Sequence, residues 1–206
     1  MDTPMSKSKT GYIEVQMKGY VILAESEYTN GAYRISALRF EDMPAIKNWR
    51  NEQIHVLRQN KVLTDEDQAR YYEQVVNPTL TMPQPPIMLF SFFCKGTLVG
   101  YGGLTNIDWT SRRAEISFLV ATDRTLDEIL YASDFRNFLR LMKQVAFREL
   151  KLNRLFTETY DIRPKHVAIL EAEGFEFEGR MKQHVRIEGR YVDSLVHGCL
   201  KEQQDV

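Results

Sequence analysis

The stretch AFRELKLNRLFTETYDIRPKHVAILEAEGFEFEGRMKQHVRIEGRYVDSLVHGCL, residues 146–200, carries the most specific pattern in the chain. After the end of a helix, NRLFTETY has the composition of a strand. PKHVAILEAEGF is typical of a helix, because Pro164 lies in its first turn and Gly174 at its C-terminal end. Two strand-like runs then flank Glu188-Gly189 and predict a hairpin. This part of the chain is therefore predicted to contribute a strand, a helix and a hairpin to one sheet.

The sequence before residue 146 predicts further strands and helices in a mixed order. Alternating apolar residues, apolar spacings of three and four, and capping or turn residues define these elements. They are a strand at 33–40, a helix from Asp42, a helix capped by Thr64, a hairpin about Lys95-Gly96, a strand at 114–120 and a long helix at 135–150. The complete order, β, α, α, β, β, β, α, β, α, β, β, predicts one α/β (α+β) sheet rather than two domains.

The composition is that of an ordinary globular protein. The 206 residues are 43% hydrophobic and 27% charged, and 27 basic against 28 acidic residues leave a net charge of −1. This balance does not predict a nucleic-acid partner. We expect no membrane partner and a cytoplasmic location, because the sequence shows neither a membrane span nor a signal-peptide pattern. His55 and His197 lack metal-ligand spacing, so no metal is predicted, and Cys94 and Cys199 are expected to be buried, reduced thiols.

The predicted domain organisation has three parts. Residues 1–32 form an N-terminal extension that is partly flexible or strand-like, and GYIEVQMKGYVILAE within it fits either a strand or a segment lying over the domain. Residues 33–201 form the single folded domain, and residues 202–206 form a tail. The extension either packs on a partner subunit, as in a homodimer, or stays free.

Three strings in this chain resemble the GNAT N-acetyltransferase superfamily. They are FEDMPAIKNWRNEQ, LVGYGGLTNIDWTSRRAEISFLV and the stretch 146–200, and together the resemblance covers Tyr33 to Leu200. It is to the branch that acetylates ribosomal proteins and amino sugars. The resemblance implies a mixed, largely antiparallel seven-stranded sheet, flanked by helices, whose fourth and fifth strands splay apart. Acetyl-CoA would enter that V as co-substrate, its pantetheine arm bonding along the fourth strand at Phe118, Leu119 and Val120, and an amine would attack the thioester.

The family holds the donor's pyrophosphate at a Q/R-x-x-G-x-G/A loop before the long helix, and this chain departs from that pattern. Counting back from Asn153-Arg154 places the two glycine positions on Ser133 and Phe135. Neither can replace a glycine that needs a positive φ or a close backbone approach. The segment after Val120 is also about four residues longer, which is about one helical turn. Thr125-x-x-Glu128 predicts a capping box, and hence an extra short helix or a lengthening of the long one.

Three hypotheses follow from the altered loop. In the first, acetyl-CoA still binds, and side chains with fewer N–H groups hold its phosphates. In the second, the donor site is lost and the protein is a non-catalytic binding relative. In the third, the aromatic Phe118, Tyr131 and Phe135 favour a different acyl-CoA. The candidate phosphate contacts are Arg124, Ser133, Arg136, Arg163 and Lys165.

The catalytic residues also depart from the family pattern. The tyrosine that many members use to protonate the leaving thiolate corresponds to Leu170, and the asparagine that meets the pantetheine corresponds to Arg163. Tyr160 is the candidate acid, or else a packing aromatic. Glu115 is the candidate base, or else a surface residue paired with Arg112 or Arg113. Glu158, a second carboxylate, is predicted to point away from the centre.

The acceptor site is predicted from the first two helices and the last hairpin. Its candidate residues are aromatic, cationic or polar: Trp49, Arg50, Asn51, His184 and Tyr191. Trp49 and Arg50 suit stacking on and ion-pairing with a nucleotide-sugar or an acidic peptide, and fit equally well a core tryptophan and a surface salt bridge. The resemblance favours the amino group of a UDP-linked amino sugar for surface-glycan synthesis. The alternative acceptor is the N-terminal amine of a protein or peptide.

Overall fold

The computed structural model describes residues 19–203, and eight strands within them form one sheet. The strands are β1 (Glu27–Asn30), β2 (Tyr33–Ala37), β3 (Met88–Cys94), β4 (Thr97–Asp108), β5 (Arg113–Val120), β6 (Arg154–Tyr160), β7 (Glu176–Ile187) and β8 (Arg190–Leu200). They neighbour one another in the order β1-β2-β3-β4-β5-β6-β8-β7, and all pairs are antiparallel except β5 with β6. The mixed, largely antiparallel sheet is thus confirmed. The predicted number of seven strands is wrong by one, because the short polar run EYTN pairs with β2 as an edge strand.

Five α-helices flank the sheet among the described residues. They are α1 (Met43–Glu52), α2 (Asp65–Tyr71), the single turn α3 (Asn77–Thr79), α4 (Glu128–Lys143) and α5 (Pro164–Ala172). Thr64 caps α2 as predicted, in a capping box with Asp67. Asp42 lies at the N-cap position of α1, as predicted, but its side chain does not cap the helix. Its carboxylate instead accepts hydrogen bonds from Arg39 Nε at 2.8 Å and Ser91 Oγ at 2.5 Å, which leaves the start of α1 without a side-chain cap.

The core lies on both faces of the sheet. Successive strand residues point to opposite faces, so Leu89 packs with α1 while its neighbour Phe90 packs with α4. The α4 face forms the larger cluster, in which Phe138 is fully buried. Trp49 is half-buried and packs against the smaller cluster beneath α1. Burial of these apolar faces, at about 25 cal/mol per Å2, holds the helices to the sheet.

The β5 and β6 strands separate shortly after they meet. Their parallel pairing comprises Arg113 with Arg154, Ala114 with Leu155 and Glu115 with Phe156. Beyond Glu115, β5 stays bonded to β4 and β6 to β8, so a V-shaped cleft opens between them. The splayed pair of strands predicted from the resemblance is therefore present. It is the feature that positions the candidate site.

The described part of the N-terminal extension crosses the domain. Tyr20 is buried, donates its hydroxyl hydrogen to Leu89 O at 3.0 Å and accepts from Leu89 N at 2.6 Å. Residues 11–18 of the possible strand GYIEVQMKGYVILAE lie outside the described residues, as does most of the predicted tail at 202–206. The boundaries at 32 and 201 stay predictions.

Candidate functional site

The cleft between β5 and β6 encloses a cavity of about 260 Å3 that is open to solvent. Side chains and backbone from both strands form its walls, together with the loop after α1, one residue of α4 and the start of α5. The predicted residues that it brings together are Arg50, Glu115, Phe118, Tyr160 and Arg163. It therefore lies where the splayed strands were expected to hold the reacting groups.

A carboxylate cluster bridged by one arginine lies at the narrow end of the cleft. Glu115 is only 7% exposed, and its carboxylate accepts from Arg58 Nη2 at 2.6 Å and Asn106 Nδ2 at 2.7 Å. The same Arg58 nitrogen donates to Glu158 Oε2 at 3.1 Å. Desolvation lowers the pKa of Arg58, but the hydrogen bond and charge of Glu115 outweigh it and leave that pKa raised. The partner predicted for Glu115, Arg112 or Arg113, is therefore wrong.

Glu158 was also predicted in the wrong orientation. It lines the cleft, and its Oε1 lies 3.7 Å from His184 Nε2. The prediction rested on simple alternation along β6. Because β6 has no neighbour on its cleft side beyond Phe156, residues of both parities reach the cavity. Arg58 was not predicted at all, since it lies in a loop whose path the sequence pattern does not indicate.

The segment after β5 does contain the extra turn predicted from the sequence. Residues Thr122–Leu126 form a 3-10 turn, and α4 follows. The proposed Thr125-Glu128 capping box is wrong. Asp127 is the cap: its Oδ1 accepts from Ile129 N and Leu130 N, both at 3.0 Å. Thr125 instead donates to Thr122 O at 2.6 Å.

A buried ion pair fixes this turn against α4. Asp134 is fully buried and accepts from Arg124 Nε at 2.5 Å and Nη2 at 2.7 Å. The Tyr33 hydroxyl donates to Asp134 Oδ1 at 2.8 Å and lies 3.0 Å from Ser133 Oγ. The hydrogen bond to Asp134 raises the pKa of Arg124. Arg124 and Ser133, both predicted to contact phosphate, are thus held in this network and do not line the cleft.

An aromatic stack borders the opposite, wide end of the cleft. Phe135, at one of the family's glycine positions, lies inside α4 and stacks on Phe118 at 4.7 Å and on His166 at 4.1 Å. Arg163 Nη2 donates to the Tyr131 hydroxyl at 2.8 Å, so Tyr131 donates its own hydrogen to His166 Nδ1 at 2.7 Å. Burial lowers the pKa of His166 well below its usual range, so its ring is neutral. His166 was not among the predicted site residues, because in PKHVAIL only its place near a helix start sets it apart.

The cleft-facing edge of β5 suits an amide arm such as pantetheine. Ala121 N donates to Val99 on the β4 side, so by alternation the backbone groups of Phe118 and Val120 face the cleft. Gln53 Nε2 already occupies Val120 O at 2.9 Å. The side chain of Leu119 points into the core beneath α1. The backbone of Phe118 and the N–H of Val120 are therefore the groups of this edge that can face a ligand.

The start of α4 does not suit a pyrophosphate held in the manner of a glycine loop. The Asp127 side chain satisfies two of its free N–H groups, and Glu128 adds a second carboxylate that pairs with Lys165. Negative charge at this position repels an anion. Arg136 is exposed on α4, and Arg163 and Lys165 lie at the start of α5. Of the residues predicted to contact phosphate, these three are the ones that the Asp134 and Tyr33 network does not hold.

The remaining acceptor residues are placed differently. Arg50 donates from Nε to Gln59 Oε1 at 2.9 Å and from Nη1 to the Tyr101 hydroxyl at 2.5 Å. Asn51 uses its amide to hold the loop at Leu63, donating to Leu63 O at 2.9 Å. Tyr191 is 67% exposed and does not line the cleft. Asn51 and Tyr191 are therefore not brought to the cavity.

Residues 19–203 contain no group of three or more His, Cys, Asp or Glu arranged to hold a metal ion. No helix of this region has the length and apolar character needed to cross a membrane. Cys94 is half-buried and Cys199 is buried, both with free thiols. Burial raises the pKa of the Cys199 thiol, so it stays protonated near neutral pH.

Known proteins resemble this chain in sequence and in fold. The "Putative ribosomal N-acetyltransferase YdaF" of Bacillus subtilis (strain 168) is 30% identical over 108 residues, which are 52% of this chain and 56% of that protein. The match thus spans little more than half of that relative's length. The crystal structure of spermidine N-acetyltransferase from Vibrio cholerae in complex with CoA and spermine superposes with a TM-score of 0.74. The two chains are 20% identical, and the match covers 84% of this chain and 98% of the Vibrio cholerae chain.

A second Vibrio cholerae structure, the dodecameric spermidine N-acetyltransferase in an intermediate state, has a TM-score of 0.71 at 20% identity. The match covers 84% of this chain and 96% of that Vibrio cholerae chain. At such identities these structures show a shared fold. The profile of the acetyltransferase (GNAT) domain matches residues 35–196, which is most of the chain and includes every strand that lines the cleft. The chain therefore belongs to the GNAT acetyltransferase family, as its sequence motifs had predicted.

Proposed function

We propose that this protein is an N-acetyltransferase that moves the acetyl group of acetyl-CoA to a primary amine. The observation that carries the proposal is the carboxylate of Glu115, held at the point where β5 and β6 separate and next to a free sheet edge. Membership of the GNAT family supports the same reaction. Acetyl-CoA would supply an activated acyl group on a thioester.

The residues of the cleft provide the groups that amine acetylation needs. An ammonium substrate must lose a proton before it can attack, and Glu115 or Glu158 can accept it directly or through water. The hydrogen bonds from Arg58 and Asn106 orient Glu115. Burial raises the pKa of the Tyr160 hydroxyl, so Tyr160 keeps its hydrogen near neutral pH and can donate it to a leaving thiolate.

The charges of the cleft favour an acceptor that is not a simple polycation. Three arginines, Arg50, Arg58 and Arg163, line it against the two carboxylates of Glu115 and Glu158. This excess of positive charge would repel a polyamine, whereas it would not repel an amine carried on an oxygen-rich or anionic molecule. The relatives described above are named for ribosomal protein and for spermidine, and neither name supports the predicted UDP-amino sugar. We therefore propose a primary amine on a neutral or anionic molecule, with amino sugars and peptide N-termini as the two classes to compare.

Turnover of acetyl-CoA tests this proposal. Thiol release would be followed with spermidine, a peptide with a free N-terminus and a UDP-linked amino sugar as acceptors. We expect turnover with one of the last two, and Glu115→Gln should lower kcat/KM by about 100-fold or more. Glu188→Gln, the same substitution at the exposed hairpin turn, should leave kcat/KM unchanged.

A second candidate function is favoured by the start of α4. Phe135 lies inside α4 at one of the family's glycine positions, and Asp127 and Glu128 place two carboxylates at the start of that helix, which fits a binding protein that has lost its donor. Calorimetry separates the two functions. Heat of binding with acetyl-CoA, followed by turnover, would eliminate the non-catalytic protein. A folded protein that takes up no acetyl-CoA at millimolar concentration would eliminate the transferase.

A further inference from the structure

A second cavity, of about 320 Å3, lies between α1 and α2 and borders the cleft of the reaction site proposed above, with which it shares Arg50. Most of its wall is apolar and comes from α1, from the loop before α2 and from the sheet. These apolar and aromatic side chains are Leu38, Met43, Ile46, Leu63, Tyr71 and Tyr101. A cavity of this size and character is at the lower end of the range for small-molecule sites.

One buried polar group in this wall lacks a partner among the described residues. Gln68, on α2, is only 5% exposed and lines the cavity. Its Nε2 finds no hydrogen-bond acceptor within residues 19–203. A buried amide donor without an acceptor destabilises a fold, and such groups are rare in native proteins. An oxygen atom of a bound molecule would satisfy it.

The cavity also contains a positive charge that no carboxylate of the described residues pairs with. Arg50 lines it and is hydrogen-bonded to two neutral groups, Gln59 and the Tyr101 hydroxyl. The other charged residues of the wall, Lys61 and Asp67, form an ion pair at 3.0 Å and balance each other. The net charge that faces a ligand is therefore positive.

We propose that this cavity binds a small carboxylate with an apolar body. The carboxylate accepts a hydrogen bond from Gln68 Nε2 and balances the charge of Arg50, while the apolar body lies between α1 and α2. The proposal goes beyond acetyl transfer, because binding here requires neither acetyl-CoA nor an acceptor amine. Arg50 also lines the reaction cleft, so the two sites are neighbours.

Benzoate is a suitable probe, because it combines a carboxylate with a compact apolar ring. Binding would be followed by NMR on the 15N-labelled protein, with the Gln68 side-chain amide identified by its loss in Gln68→Leu. We expect a saturable shift of that resonance in the unmodified protein. Gln68→Leu and Arg50→Gln should each weaken benzoate binding by about 10-fold, measured by calorimetry. Gln74→Leu, the same substitution at an exposed position, should not change it.

Benzamide keeps the oxygen and the ring but lacks the charge, so it should bind more weakly than benzoate. Equal or tighter binding of benzamide would overturn the assignment of a carboxylate. Absence of a saturable Gln68 shift, or unchanged affinity in Gln68→Leu, would overturn the site itself. Should Gln68→Leu fail to fold, Gln68→Glu keeps the shape and adds a repelling charge, and unchanged benzoate binding by that variant would equally overturn the proposal. Because none of these measurements involves acetyl-CoA, their failure is distinguishable from failure of the transferase.

Discussion

His166 is a buried, neutral histidine whose environment resists protonation. Its ring stacks on Phe135, its Nδ1 accepts from Tyr131, and the nearby charge on Arg163 disfavours a second proton. Desolvation is the largest cause of the lowered pKa. In the unfolded chain this histidine titrates at its ordinary pKa. The two states therefore bind different numbers of protons below about pH 6.5, the ordinary pKa of histidine.

Stability should consequently fall as the pH drops below that value. The unfolded state binds the extra proton there, so the free energy of unfolding decreases with decreasing pH. The free energy of unfolding would be measured with urea at about pH 7.5 and pH 5.5. Between these two pH values, it should fall by about 1 kcal/mol less in His166→Gln than in the unmodified protein. His55→Gln, at an exposed position, is the control and should behave like the unmodified protein. Identical pH slopes for His166→Gln and the unmodified protein would show that His166 is not held neutral.

At the level of single residues, the sequence predicted the carboxylate but not its surroundings. Glu115 was identified because it lies in an apolar strand of a family motif. Its partner Arg58 lies in an irregular loop, and no periodicity indicates where such a residue points. Simple alternation misplaced Glu158, since a strand that is open on one side exposes both parities to the cavity.

Among the elements, α4 departs most from the family pattern, and a buried ion pair explains how. Arg124 in the 3-10 turn forms an ion pair with Asp134, which lies in the second turn of α4. This contact spans the residues that would otherwise form an open loop. The extra turn was predictable from Thr125, Leu126 and the helical spacing that follows. The identity of the cap was not, because Thr125 and Asp127 are both good capping residues and only the backbone path decides between them.

Asp134→Ala should therefore unfold the turn and destabilise the domain. The change leaves the Arg124 guanidinium and the Tyr33 hydroxyl without their shared acceptor, and breaking a largely buried pair costs about 3 kcal/mol. Urea unfolding gives the loss of stability, and hydrogen exchange over residues 122–135 should show where protection disappears. Asp123→Ala, at an exposed residue of the same turn, should cost little. A loss below about 1 kcal/mol for Asp134→Ala would mean that other contacts hold the turn.

At the scale of the whole molecule, β7 of the terminal hairpin receives little support from the core. Most side chains of β7 are exposed, and its pairing with β8 shifts register between Met181 and Val185. By contrast, β3 is buried along almost its full length, with Phe90 and Phe92 essentially inaccessible. The overall sheet was predictable, since it follows from apolar patterns and turn residues. The additional strand β1 was not predictable, because it is short and polar and is defined only by its pairing with β2.

Hydrogen exchange should reflect this difference in support. Amides of residues 181–192 should exchange much faster than those of β3, because segments with few buried contacts open locally at low free energy. Mass spectrometry of peptides from both regions makes the comparison within one sample, so β3 is its own control. Equal protection would contradict the expectation. If that protection also increased with protein concentration, a second copy of the chain would be covering the hairpin.

The self-capped start of α4 has one further consequence, for the way binding energy is distributed along a donor. A helix start that already carries the Asp127 carboxylate gains nothing from a second anion, and neighbouring Glu128 opposes one. The nucleotide half of acetyl-CoA would then contribute little affinity there, and the amide arm along β5 would contribute most. A truncated thioester that keeps the arm but lacks the nucleotide would compete with the complete donor on nearly equal terms. Such a protein would distinguish donors by their acyl group and amide arm rather than by their nucleotide.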